Sequence, residues 1–120
     1  EGAMSPLADV TFETLGDIVV AHVEGDVDMS NAAELGAAIT ARLQSEARAL
    51  VLDLAGVGYV DSAGIHVFFE LREHLTRRGQ AIRVALAADS PVATALEYAG
   101  VQRTLGAATT VREAMAELEE

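Results

Sequence analysis

Leu50-Val51-Leu52-Asp53-Leu54-Ala55-Gly56-Val57-Gly58-Tyr59-Val60-Asp61-Ser62-Ala63-Gly64-Ile65 is the stretch that decides the fold. Leu50 to Leu54 is a short apolar run broken only by Asp53. A run of that length suits a central strand covered on both faces. Gly56 to Asp61 reads as a strand-to-helix turn. From Ser62 the apolar period becomes helical: Gly64, Phe68, Leu71 and Leu75 share one face, and Glu70, Glu73 and Arg77 fall away from it. Ser62 is the expected N-cap of this helix, which runs to about Arg78 and is stopped by Gly79.

Upstream, Val10 to Leu15 alternates, Gly16-Asp17 makes a turn, and Ile18 to Val23 is apolar and β-branched. Together they read as a hairpin whose second strand is the more buried. Gly25-Asp26-Val27-Asp28 reads as a loop. Ser30 is the expected cap of a helix over Asn31 to Ser45, with Ala32, Leu35, Ile39 and Leu43 on its apolar stripe. Downstream, Ile82 to Ala87 is a further strand. Ser90-Pro91 opens a helix that ends near Gly100. A short strand is expected near Ala107, and Thr110 to Glu113 has capping-box spacing ahead of a last helix, Val111 to Leu118. Phe68 and Phe69 read as core, Tyr59 and Tyr98 as core edge. Strands alternating with helices predict an α/β fold with a mostly parallel sheet and an antiparallel edge.

The chain has 120 residues, which suits one domain, and no Cys, which fits a reducing compartment. Glu1 to Ser5 reads as a cloning remnant, leaving residues 6–120 as the domain. Hydrophobic residues make up 51%, yet no apolar run reaches membrane-span length and no signal segment opens the chain. The net charge is −11, and all eight basic residues are Arg. Such a surface repels phosphate backbones and anionic lipid, so nucleic acid and membranes are poor partners. The absence of Lys excludes a Walker phosphate loop and Schiff-base chemistry.

Two enzymatic readings of the central stretch fail on single residues. Gly56-Val57-Gly58-Tyr59-Val60-Asp61 begins as a dinucleotide fingerprint, but Asp61 stands where the third glycine belongs and would meet the pyrophosphate. Val60-Asp61-Ser62-Ala63-Gly64 lacks the first glycine of a nucleophile elbow, and His66 lies one turn along Ser62's own helix. His22, His66 and His74 are scattered, so no metal site is expected. Asp26 and Asp28 are too few for a calcium loop, and the acidic tail (Glu113, Glu117, Glu119, Glu120) reads as a solvated helix face.

What distinguishes the turn is its combination with Gly25-Asp26-Val27-Asp28 one helix earlier. Val51 to Ile65, Gly25 to Asp28, and Pro91-Val92 through Glu97-Tyr98-Ala99-Gly100-Val101 resemble the STAS domain of bacterial anti-sigma factor antagonists, over roughly Val10 to Leu118. The resemblance implies a STAS-type fold: a mixed central sheet of four to five strands, an antiparallel edge hairpin and about four helices. It implies a cytoplasmic, non-enzymatic regulator of transcription, without cofactor or metal, monomeric or weakly dimeric. It implies that Ser62 is phosphorylated by a partner kinase that is itself the anti-sigma factor. The unphosphorylated form binds that kinase and frees a sigma factor; a separate phosphatase restores binding. The implied partner-binding residues are Asp26, Asp28, Asp61, Ser62, Ala63, Gly64 and His66. Ala63 stands where many members have Ser or Thr, and His66 where a small residue is usual. The alternative is a STAS subunit of a transporter or sensory complex in which Ser62 is never phosphorylated.

Overall fold

A computed structural model of the chain describes residues 8–43, 47–101 and 105–119. The proposed remnant, the last residues of the first expected helix and Glu120 lie outside them. Gly16 takes φ 65°, the left-handed step that lets a two-residue loop join β1 (Ala8–Leu15) to β2 (Ile18–Val27) as an antiparallel pair. From β2 the chain passes through α1 (Ala32–Arg42) to β3 (Ala49–Val60), which lies parallel to β2. It continues through α2 (Ser62–Arg77), β4 (Ala81–Ala85), α3 (Ala93–Ala99), β5 (Ala107–Ala108) and α4 (Val111–Leu118). The sheet order is β1-β2-β3-β4-β5, with every pair after the first parallel. This is the mixed five-stranded sheet with an antiparallel edge and, among the described residues, four helices.

Period-two alternation divides the core. Val19, Ala21, Val23, Leu50, Leu52 and Leu54 face the layer of α1, α2 and α3, where Leu35, Ile39, Phe68, Leu71, Leu75 and Leu96 close over them. Ile18, Val20, Ala49, Val51 and Ala85 face the other way and are covered by Ala114 and Leu118 of α4. Each large side chain fully buried here contributes about 1.5–3 kcal/mol, so Phe68 and Leu75, both at 0% exposure, hold α2 firmly to the sheet.

The sequence reading is corrected in several places. β3 does not stop at Leu54, and Gly25-Asp26-Val27 is not loop. Both strands run on and pair, Asp26 opposite Tyr59 and Val27 opposite Val60. The register shifts after His22 and again after Gly25, each time with an extra residue on β3. These bulges break the period-two pattern and make a strand look like a turn. Asp53 Oδ1 accepts a hydrogen bond from Ala55 N at the first bulge. A Cβ on Gly56 would stand 2.8 Å from Glu24 Cγ and 3.3 Å from the Val23 carbonyl, which is why glycine occupies it. The third helix begins at Ala93, after a turn in which Ser90 Oγ accepts from Val92 N, so Pro91 is not its first residue. Thr110 caps α4 as expected, but Glu113 reaches Thr109 rather than Thr110. No helix among the described residues is long and apolar enough to cross a membrane.

Candidate functional site

Because β2 and β3 are parallel neighbours, their carboxyl ends emerge side by side, and each leads at once into a helix. Asp61 N donates to the Val27 carbonyl at 3.1 Å, extending the pairing one residue past β3. Asp61 is extended at φ −100°, ψ −174°, and is the N-cap of α2. Its Oδ1 accepts from Ala63 N at 2.9 Å and Gly64 N at 3.1 Å, and its Oδ2 accepts from Met29 N at 3.1 Å. A cap of this kind contributes about 1 kcal/mol to a helix. One carboxylate therefore caps α2 and ties the start of α2 to the β2–α1 turn.

This corrects the role expected of Ser62. It is the first helical residue, not the cap, and it is exposed. Asp and Ser are both good caps, and in Asp61-Ser62 the residue that remains extended is the aspartate. Among the described residues the Ser62 hydroxyl has no hydrogen-bond partner. The amides of Ala63 and Gly64, which a phosphate on Ser62 would otherwise reach, are already taken by Asp61.

Across the site, Ser30 does not cap α1 either. Its N–H and its hydroxyl both donate to Asp28 Oδ1, at 2.9 and 2.6 Å. Asn31 stands at the N-cap position with no side-chain bond into the helix. Its buried amide instead accepts from Asp28 N and donates to the Asp26 carbonyl. Nothing in the one-dimensional pattern marked Asn31; its role depends on the turn closing back on β2.

The other expected partner-binding residues fall as follows. Asp26, in β2 opposite Tyr59, and Asp28, one residue past β2, are half-buried, and Ala63 is half-buried at the start of α2. Gly64 is buried, with Val27 Cγ1 only 2.8 Å and Val60 Cγ1 3.0 Å from where a Cβ would lie, so it supports the surface from beneath. His66 is exposed one turn beyond Ser62 on the same side of α2, its Nε2 3.2 Å from Glu70 Oε2. Tyr59 and Tyr98, expected at the core edge, are 53% and 89% exposed. Phe68 is core, and Phe69 is half-buried against it.

A groove of about 570 Å³ runs between α1 and α2, lined by Gly36, Ala37, Val67, Leu71 and His74 among others, and its lining does not include the Asp61–Gly64 turn. Ser62 is the exposed residue of that turn, between the half-buried Asp61 and Ala63. Among the described residues no group of three or more His, Asp or Glu could hold a metal ion.

A second polar cluster, not foreseen from sequence, lies on β1, β2 and β3. His22 Nδ1 is 2.6 Å from Asp53 Oδ2, and Nε2 is 3.0 Å from Glu13 Oε1. Only the imidazolium can donate to both carboxylates at once. The hydrogen bond to Glu13, then that to Asp53, holds the His22 pKa above its usual 6.5, against the opposing effect of partial burial. A raised folded-state pKa gives stability that is complete below 6.5 and is lost as pH rises through the raised value. The melting temperature is therefore expected to fall over that interval, and His22→Gln to flatten this part of the profile. An unchanged profile in the variant would remove His22 as the cause.

Comparison with known proteins adds the following. A family model described as the STAS domain matches residues 9–114. A Bordetella bronchiseptica protein bearing the name anti-sigma factor antagonist BtrV is 30% identical over 66 residues, 55% of this chain and 57% of that protein, so the chain spans just over half its length. The crystal structure of an anti-sigma factor antagonist from Mycobacterium paratuberculosis superposes with a TM-score of 0.80 at 24% identity, over 97% of this chain and 98% of that one. The anti-sigma factor antagonist SpoIIAA, solved in its unphosphorylated form, superposes with a TM-score of 0.72 at 20% identity, over 92% of this chain and 96% of that one. At these identities the two structural likenesses speak for the fold alone.

Proposed function

The chain belongs to the STAS domain family, and from that premise we propose that it is an anti-sigma factor antagonist switched by phosphorylation of Ser62. The unphosphorylated chain binds an anti-sigma factor kinase through the surface of Asp26, Asp28, Asp61, Ser62, Ala63 and His66, with Gly64 beneath it. A sigma factor held by that kinase is thereby freed for transcription in the cytoplasm. The kinase transfers the γ-phosphoryl group of ATP to Ser62 Oγ, and the product no longer binds. A phosphatase hydrolyses the ester and restores the binding form.

The observation that carries this reading is Ser62 itself: an exposed hydroxyl, without a protein partner among the described residues, on the first residue of a helix and next to Asp61. A serine so placed is open to a kinase, and modifying it breaks no bond within the fold. The name of one relative supports the same direction: it is called an anti-sigma factor antagonist.

Incubation with ATP and the host's purified anti-sigma factor kinases, read by intact mass, tests it. The wild-type chain is expected to gain a single phosphate and Ser62→Ala none. A kinase that binds the chain yet leaves its mass unchanged would sink the phosphorylation switch.

A further inference from the structure

Met29 stands at the turn between β2 and α1 and is 82% exposed. A large apolar side chain in water adds nothing to the stability of the fold. The backbone beneath it is nevertheless tied down completely. Every amide from Asp28 through Ala32 has an acceptor: Asp28 N gives to Asn31 Oδ1, Met29 N to Asp61 Oδ2, Ser30 N to Asp28 Oδ1, and Asn31 N and Ala32 N to the Asp28 carbonyl. The turn thus presents an apolar side chain to solvent from an ordered backbone.

The backbone of Met29 is also fixed relative to Ser62. The Asp61 carboxylate that accepts from Met29 N through Oδ2 caps, through Oδ1, the helix that Ser62 begins. Asp61 is in this sense a positioning residue for both. The surroundings carry one sign of charge. The segments nearest this corner, residues 25–36 and 57–66, contain no Lys or Arg, while Asp28 precedes Met29 in the chain and Asp61 accepts from its N–H.

Resting on the function proposed above, we propose that Met29 is the apolar anchor of the interface, entering a pocket on the anti-sigma factor kinase whose rim is basic. Methionine is enriched at the cores of protein interfaces, and its unbranched thioether adapts to the shape it meets. Because the turn is already ordered, docking loses little backbone entropy, the condition under which one buried side chain dominates affinity. The basic rim answers Asp28 and Asp61 beside Met29 and gives the pair its specificity and association rate.

Calorimetry with the host's purified anti-sigma factor kinases, on wild type, Met29→Ala and Ser62→Asp, tests this. Met29→Ala is expected to weaken binding by roughly ten-fold or more, with its melting temperature unchanged because the side chain touches solvent. In the wild-type complex, hydrogen peroxide is expected to form Met29 sulfoxide far more slowly than in the free chain. If Met29→Ala binds within about two-fold of wild type while Ser62→Asp fails to bind, the anchor is overturned and the switch stands. If no kinase binds the wild-type chain, both fall.

Discussion

Ser62→Asp is expected to weaken binding to the anti-sigma factor kinase by about a hundred-fold or more, and Ser62→Ala to leave it within a few-fold of wild type. The size follows from where the new charge must go. The amides of Ala63 and Gly64 already serve Asp61, so a carboxylate or phosphate on Ser62 cannot be absorbed into the helix terminus without displacing that cap. It is left facing outward, one residue from Asp61, where the partner is proposed to pack closely. The added bulk and a desolvated charge without its own partner at such a junction cost several kcal/mol. The fold responds differently. A negative group in the first turn of a helix is favourable by about 0.3–1 kcal/mol, so the melting temperature of Ser62→Asp should equal or slightly exceed that of wild type. The two measurements together are diagnostic: binding lost with stability kept is the signature of a switch on docking. Wild-type affinity in Ser62→Asp would end the proposal. A loss of binding in Ser62→Ala would instead make the hydroxyl a contact in its own right.

The order of elements was legible because their periods are clear. Ile18 to Val23 and Leu50 to Leu54 are strand-like, Gly64 to Leu75 is helical, and short connections leave few ways to assemble them. The Asp-Ser-x-Gly corner and the earlier Gly-Asp-x-Asp segment were legible as separate segments, and the structure brings them together, but their local geometry was not legible. Which of two adjacent capping residues stays extended is decided by the strand pairing that holds Asp61 N on the Val27 carbonyl. That contact joins residues far apart in the chain. The same holds for Asn31, whose side chain closes on Asp26, and for the His22 cluster, which needs three strands in register. The far half of β3 was hidden for a different reason. Its two bulges shift the residues that face the core, so a pattern search that assumes period two sees only glycines and a turn.

Gly64→Ala is expected to destabilise the fold by about 1–3 kcal/mol, the range for forcing an extra carbon into a packed site. Two effects compete. Alanine is the better helix former by up to about 1 kcal/mol, and less near a helix end where fewer intrahelical bonds are at stake. Against that, the new methyl would lie 2.8 Å from Val27 Cγ1 and 3.0 Å from Val60 Cγ1. Neither can yield easily, since both are buried in adjacent strands and a β-branched side chain has few rotamers to turn to. The helix must therefore move away from the sheet. Moving it pulls the Ala63 and Gly64 amides off Asp61, and with them the link to Met29, so binding should fall along with stability. At about 4 °C per kcal/mol for a domain of this size the change is easily read in a thermal melt. Gly36→Ala provides the comparison, since its methyl would lie 2.9 Å from Val67 Cγ1, but between two helices at the rim of a groove. Helices there can slide apart without disturbing Asp61, so Gly36→Ala should lose less stability and keep its partner. If Gly64→Ala melted at or above the wild-type temperature, propensity would have outweighed packing, and the close approach of α2 to β2 and β3 would not be what holds the Ser62 corner in place.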